Sequence, residues 1–177
     1  MKKLIGVLLA GLLAAAMGGC SGTDSSTASA GEKLQVGIVQ IMEHTSLDTI
    51  RESFLQQMEQ LGYGEDKVDY DIQNAQGEQT NLGTICQKFV GDGVDMIVAI
   101  ATPTAQTAAA STSEIPILFS AVTDPVEAKL LTDPQHPDGN VTGTPDAIPV
   151  DQVMQLCQEL TPEVHKIGFM YTTSAIN

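Results

Sequence analysis

Two segments of the sequence carry hydroxyl and carboxylate side chains directly after apolar runs. Thr102 and Thr104 can hold a ligand carboxylate through their hydroxyl groups and through the free amides of a helix that begins at Pro103. Thr102 serves equally well as the cap of that helix. Asp124 is more typical of a cap than of a ligand for an ammonium group, whereas Thr123 has no capping role and is the better candidate.

Three further residues are candidates for the same ligand. Glu43 and His44 follow the first apolar segment, in a loop that either lines a binding cleft or is simply solvated. Asp146 can supply a negative charge to an α-ammonium group, or it is an ordinary surface residue in a turn. Together these residues suit a small zwitterion that is bound without any chemical step.

The same sequence offers little for catalysis. His44, His136 and His165 do not pair with a nucleophile in a recognisable motif, and GxSxG, HExxH and Gly-rich phosphate loops are missing from the sequence. Cys86 and Cys157 have no second cysteine or histidine at metal-ligand spacing, so we expect buried free thiols rather than a disulfide. We therefore expect no enzyme, no cofactor and no metal site.

The charge and the aromatic content of the chain indicate whether it could bind a nucleic acid. The chain has 8 basic and 22 acidic residues, for a net charge of −14, and no basic cluster that would meet a phosphate backbone. Three Tyr, four Phe and no Trp give little support for base stacking. These features argue against a nucleic-acid partner.

An alternation of strand and helix patterns must position the candidate residues. The patterns predict strands at 34–42, 67–74, from Val94, at 115–122, near Val141 and at 166–171. The helices between them are predicted to begin near Thr45, Leu82, Thr102, Asp124 and Pro149. This order predicts an α/β fold with a doubly wound parallel sheet, in which ligands bind beyond the carboxyl ends of the strands.

Capping chemistry sets the expected helix ends. Thr45 is the predicted N-cap of the first helix, with Gly62 as its stop, and Gly91 is predicted to close the second helix. Thr102 is the predicted N-cap of the third helix. Asp124, followed by proline and by a glutamate three residues later, is predicted to open a fourth.

The N-terminal segment has the pattern of an export signal. Two lysines and an apolar run precede Met17-Gly18-Gly19-Cys20, which resembles the lipobox of bacterial lipoproteins, with Met17 where Leu is commonest. That resemblance implies acylation of Cys20, for example with palmitate, and a lipid anchor on the outer face of the bacterial membrane. A plain signal peptide with an incidental cysteine is the alternative.

Four regions follow from these patterns. Residues 1–20 form the signal peptide and lipobox, and residues 21–33 form a polar tether that cannot bury enough surface to fold. Residues 34–145 form an N-terminal α/β lobe. Residues 146–177 are expected to hold an interlobe crossing helix and the first strand of a truncated second lobe.

Several blocks, in order, carry a family resemblance: VGIVQIMEH, DYDIQNAQG, QKFV, VDMIVAIATPTAQ, AVTDPV and GNVTGTPDAIPV. They resemble the substrate-binding proteins of ABC transporters of the tryptophan and tyrosine class. The resemblance implies one lobe of a type I periplasmic binding protein, capture of an amino acid that is often aromatic, and delivery to an ABC permease. YTTSAIN at 171–177 is similar to a family segment Y-x-x-S-x-x-N, which implies a ligand role for Asn177, although Ala175 stands where an acidic residue is common.

Two alternatives to a transport receptor stay open. One is an extracytoplasmic sensor that uses the same fold to signal through a membrane partner. The other is a fragment that has lost its function, because the pocket walls of the family come from both lobes.

Overall fold

The computed structural model describes residues 33–137, 139–161, 163, 165–168 and 170. The predicted leader with Cys20, the predicted tether up to residue 32, and the predicted ligand residue Asn177 lie outside these residues. The elements follow in the order β1 (Leu34–Gln40), α1 (Thr45–Gln60), β2 (Val68–Asn74), α2 (Gln79–Asp92), β3 (Met96–Ile100), α3 (Thr102–Ser111), β4 (Ile117–Val122), β5 (Val141–Pro145) and α4 (Val150–Leu160).

The strands form one parallel sheet in the order β2-β1-β3-β4-β5. From β1 the chain forms β2 on one side, and then crosses back to form β3 on the other side of β1. The strand order therefore reverses between β1 and β3, which is the switch point where open α/β sheets bind ligands. The predicted doubly wound α/β fold is confirmed.

Helices cover both faces of this sheet. On one face, Leu47, Ile50 and Phe54 of α1 pack against the buried Ile38 of β1 and Ile100 of β3. On the other face, α2 and α3 pack against the strands and against each other. Burial of each large apolar side chain stabilises the fold by roughly 1.5–3 kcal/mol relative to exposure. Both faces are needed because parallel strands are apolar on both sides.

The start of α1 and the end of α2 differ from the sequence prediction. His44, rather than Thr45, is the N-cap of α1, and its Nδ1 accepts a hydrogen bond from the Ser46 amide at 3.3 Å. The ring nitrogen of His44 thus takes the place of the hydroxyl or carboxylate oxygen that the prediction sought. Helix α2 runs through Gly91 to Asp92, and its C-cap is Gly93, which has a left-handed φ of +67°. Only a residue in that conformation redirects the chain toward β3, and glycine adopts it without strain.

The predicted helix after β4 is a single turn. Asp124 does cap it, because its Oδ1 accepts hydrogen bonds from the amides of Val126 and Glu127, both at 2.9 Å. Lys129 then adopts a φ of +60°, and the turn ends there. Leu130 and Leu131 follow and lie in the core, so burial of these leucines competes with continuation of a helix.

Helix α4 carries apolar side chains that remain exposed. Val150, Val153 and Leu156 are 45–57% exposed, and no α4 residue is buried against the part of the chain that the structure describes. Cys157 is exposed, so the predicted burial of this thiol is wrong, because the apolar face of α4 meets no described neighbour. Cys86 is buried as predicted, and both thiols are free.

The strand predicted at 166–171 is not observed at any position of that segment that the structure describes. A strand requires a neighbour to pair with, and no described strand lies beside this segment. None of the helices in the described ranges combines the length and the apolar character that a bilayer crossing demands.

Candidate ligand-binding site

The candidate residues lie along one edge of the sheet. Gln40 of β1 is aligned with Ile100 of β3, and Ile100 is aligned with Ser120 of β4, so these three strands end at the same level. The next strand joins this edge, since the amide of Asp146 donates to the carbonyl oxygen of Val122 at 3.1 Å. The parallel fold thus brings together the segments that follow β1, β3, β4 and β5.

Helix α3 begins at the end of β3 without an intervening loop. Ala101 is its N-cap, with φ +86° and ψ 154°, a region that is essentially restricted to glycine. The amide of Ala101 donates to the carbonyl oxygen of Ser120 at 2.9 Å, which holds this residue against β4. Thr102 is therefore the first helical residue, and the prediction that it caps the helix is wrong: the chain turns one residue earlier, and no side chain caps α3.

The first turn of α3 offers unpaired donors. The amide of Ala105 closes the turn on the carbonyl oxygen of Ala101 at 3.1 Å. The amides of Thr102 and Thr104 precede that bond and therefore have no acceptor within the helix, and Pro103 has no amide at all. The positive end of the helix dipole lies at the same place, so this turn suits a carboxylate.

Two buried hydroxyl groups add to this site. The Oγ1 atoms of Thr102 and Thr104 are buried and have no hydrogen-bond partner among the described residues, whereas Thr107 Oγ1 donates to the carbonyl oxygen of Pro103 at 2.8 Å. A buried polar group without a partner costs about 1–3 kcal/mol. Both oxygens expose less than 1 Å² each, so a ligand reaches them only after a local movement of the surrounding segments.

The loop after β1 is organised by a residue that the sequence reasoning missed. Gln40 is 1% exposed, and its Nε2 donates to the carbonyl oxygen of Met42 at 2.6 Å and to Asp48 Oδ1 at 2.9 Å. Arg51 Nη1 donates to Gln40 Oε1 at 3.0 Å and to Asp48 Oδ1 at 3.1 Å. The sequence does contain a signal for this role: Gln40 is a polar residue on the strand face that also carries the apolar Val36 and Ile38.

This network lies beside a cavity of about 530 Å³ at the carboxyl ends of β1 and β2. Its lining consists of Met42, Glu43, Arg51, Asn74 and Gln76. Of the predicted ligand residues that the structure describes, Glu43 alone lies in this lining. A second cavity, of about 750 Å³, lies between α1 and β2, and its lining contains no predicted ligand residue from the described ranges.

The other predicted ligand residues among those described lie outside both the first turn of α3 and the lining of the smaller cavity. The carboxylate of Asp124 is engaged by the turn it caps, and His44 is engaged by α1. Thr123 is partly exposed and Asp146 is exposed, each directly beyond a strand end. In the described ranges, no cluster of three or more His, Cys, Asp or Glu residues is arranged to hold a metal ion.

A five-stranded parallel sheet covered by helices on both faces is the architecture of a type I periplasmic binding protein lobe. A leucine binding protein, LivK, from Thermotoga maritima shares this fold at 12% identity, with a TM-score of 0.52 over 73% of this chain and 37% of that one.

A family profile described as ABC transporter substrate binding protein matches residues 35–177, and the chain belongs to that family. A tyrosine-binding protein from Clostridioides difficile is 42% identical over 99% of this chain and 54% of its own length. The crystal structure of an ABC domain in complex with L-Trp from Streptococcus pneumonia is 38% identical, with a TM-score of 0.78 over 81% of this chain and 48% of that chain. The chain thus spans about half the length of these relatives.

Proposed function

We propose that the protein is the extracytoplasmic substrate-binding component of an ABC importer and binds an aromatic amino acid, tyrosine or tryptophan. The observation that carries this proposal is the similarity, at 42% and 38% identity, to one relative named for tyrosine binding and to another in complex with L-Trp. The proposed function consists of binding and release, without turnover of the ligand.

The edge geometry supports an assignment for each end of an amino acid. The first turn of α3, with the amides and hydroxyls of Thr102 and Thr104, receives the carboxylate. Glu43 in the smaller cavity and the exposed Asp146 are the carboxylates available to the ammonium group. Thr123 follows β4, which lies between β3 and β5 in the sheet, and contributes a hydroxyl.

A lipid anchor fits this role. We propose that Cys20 is acylated and holds the protein at the outer face of the cell membrane, beside the permease that receives the ligand. A Cys20→Ser variant should then leave the membrane fraction of the native bacterium, while a Cys157→Ser variant should remain in it.

The decisive experiment is isothermal titration calorimetry of the mature protein, expressed from its complete reading frame, with each of the twenty amino acids. We expect tyrosine or tryptophan to bind, and we expect tyramine, which lacks the carboxylate, to bind at least tenfold more weakly. Absence of binding by every amino acid would refute the proposed ligand class. Conversion of a bound amino acid into a product would refute the binding-only function.

A further inference from the structure

Gln40 is a polar residue in an apolar environment. It is the last residue of β1, and the buried Ile38 and Ile100 lie on the same face of the sheet. An apolar side chain of similar size would fill this position without any need for polar partners, and such replacements of buried polar networks are often neutral in stability. The network of Gln40, Asp48 and Arg51 is therefore not required simply to fill the core.

One side-chain bond of this network and two backbone bonds hold the loop at 41–44. Gln40 Nε2 donates to the carbonyl oxygen of Met42 at 2.6 Å, and the amide of Asp48 donates to the carbonyl oxygen of His44 at 2.9 Å. The loop is also joined to the segment after β2, since the amide of Gly77 donates to the carbonyl oxygen of Ile41 at 2.8 Å. The Gln40 side chain is thus hydrogen-bonded to one wall of the smaller cavity, and a backbone hydrogen bond joins that wall to the other.

Arg51 acts within this network rather than as a free cation. Its Nη1 lies 3.1 Å from Asp48 Oδ1, and its Nη2 lies 3.7 Å from Glu52 Oε1. Two carboxylates therefore offset its single charge, and Glu43 is the remaining charged residue of the cavity lining. An additional ligand carboxylate at Arg51 would face these three negative groups, so Arg51 is better suited to support the loop than to bind an anion.

We propose that Gln40, Asp48 and Arg51 are positioning residues, which hold the loop at 41–44 in the conformation that presents Glu43 to the ligand. This inference rests on the proposed amino-acid binding. Because buried hydrogen-bonded side chains hold the loop in one conformation before the ligand arrives, less conformational entropy is lost on binding.

Gln40→Met tests the proposal, and Gln35→Met, at an exposed position of the same strand, is the control for the substitution itself. Gln35 lies at the other end of β1, where its Nε2 donates to Asp69 Oδ2 at 3.0 Å and to the carbonyl oxygen of Lys33 at 3.4 Å. The protein from the complete reading frame is used in two assays: hydrogen exchange of peptides that cover 41–48, without ligand, and calorimetric affinity for tyrosine and tryptophan well below the melting temperature.

We expect Gln40→Met to raise loop exchange at least tenfold and to raise the Kd at least tenfold, while Gln35→Met changes neither. If Gln40→Met does not fold, Arg51→Lys, which keeps the charge but loses the guanidinium fork, should produce the same pair of changes. Unchanged loop exchange would overturn the inference whether or not any ligand binds. Faster exchange with an unchanged Kd would also overturn it. A wild-type protein that binds no amino acid would overturn the proposed function, and the ligand-presenting role with it.

Discussion

Gly37 of β1 lies directly against the ring of Phe89 of α2. A Cβ atom at position 37 would lie 2.7 Å from Cδ2 of that ring, and Phe89 is completely buried. Helix α2 therefore approaches the sheet closely only because residue 37 has no side chain. This contact fixes the distance between the helix layer and β1, the strand at whose carboxyl end the candidate site begins.

Gly37→Ala should destabilise the protein by about 1–3 kcal/mol, since the buried ring has no room to move aside. Urea denaturation followed by circular dichroism would measure the change. Gly83→Ala in α2 is the matched control: nothing lies within 4 Å of its Cβ position, so we expect stabilisation of about 0.5–1 kcal/mol. Equal effects of the two substitutions would contradict the close packing described for Gly37.

Ala101→Gly should stabilise the protein. Its φ of +86° and ψ of 154° cost a residue with a side chain about 1–3 kcal/mol, and glycine relieves this strain at an entropic cost of about 0.5–1 kcal/mol. The expected net gain is about 1 kcal/mol in the free energy of unfolding, measured in urea. Ala99→Gly, in the buried part of β3, is the control and should be destabilising.

Thr102→Val should have opposite effects on the free and the ligand-bound protein. Replacement of an unpartnered buried hydroxyl by a methyl group removes a cost of about 1–3 kcal/mol, so the melting temperature of the free protein should rise. If the ligand carboxylate uses that hydroxyl, the further increase in melting temperature with tyrosine or tryptophan should become smaller. Both values come from one differential scanning calorimetry series.

Thr107→Val provides the control for that experiment. The hydroxyl of Thr107 donates to the carbonyl oxygen of Pro103 and accepts from Gln79 Nε2 at 2.9 Å, so its loss should lower the melting temperature of the free protein. A Thr102→Val variant that is also less stable than wild type would show that its hydroxyl already has a partner.

The two described thiols should differ in reactivity. Cys157 is exposed and should react with a disulfide reagent at pH 8 within minutes, whereas Cys86 is fully buried and should react only on unfolding. Burial raises the pKa of the Cys86 thiol from 9.0 to about 11. Combined Cys20→Ser and Cys157→Ser substitutions isolate the Cys86 signal, and rapid native-state labelling of that variant would contradict the burial of Cys86.

The raised pKa of the Cys86 thiol also predicts that the stability of the protein depends on pH. The folded state retains the Cys86 proton at pH values where the unfolded chain loses it, so stability is unaffected below about pH 9 and falls as the pH rises toward about 11. Cys86→Val removes this titration, so its melting temperature should fall less than that of wild type over the same pH interval.

Local patterns in the sequence determined most of the fold. The apolar runs that became β1, β3 and β4, the helical spacing in α1 and α2, and the order of the elements were sufficient to predict a doubly wound parallel sheet, because each strand must be covered on both faces. The placement of candidate residues beyond the strand ends followed from that topology alone.

Only the tertiary structure decided which polar groups are already engaged. His44 and Asp124 have capping partners, whereas the hydroxyls of Thr102 and Thr104 have none within the part of the chain that the structure describes. The strained conformation of Ala101, the single turn that replaces a helix at Asp124, and the pairing of Gln40 with Asp48 and Arg51 all depend on how one element packs against another. Sequence periodicity reports local geometry, and these outcomes depend on how the elements pack against one another.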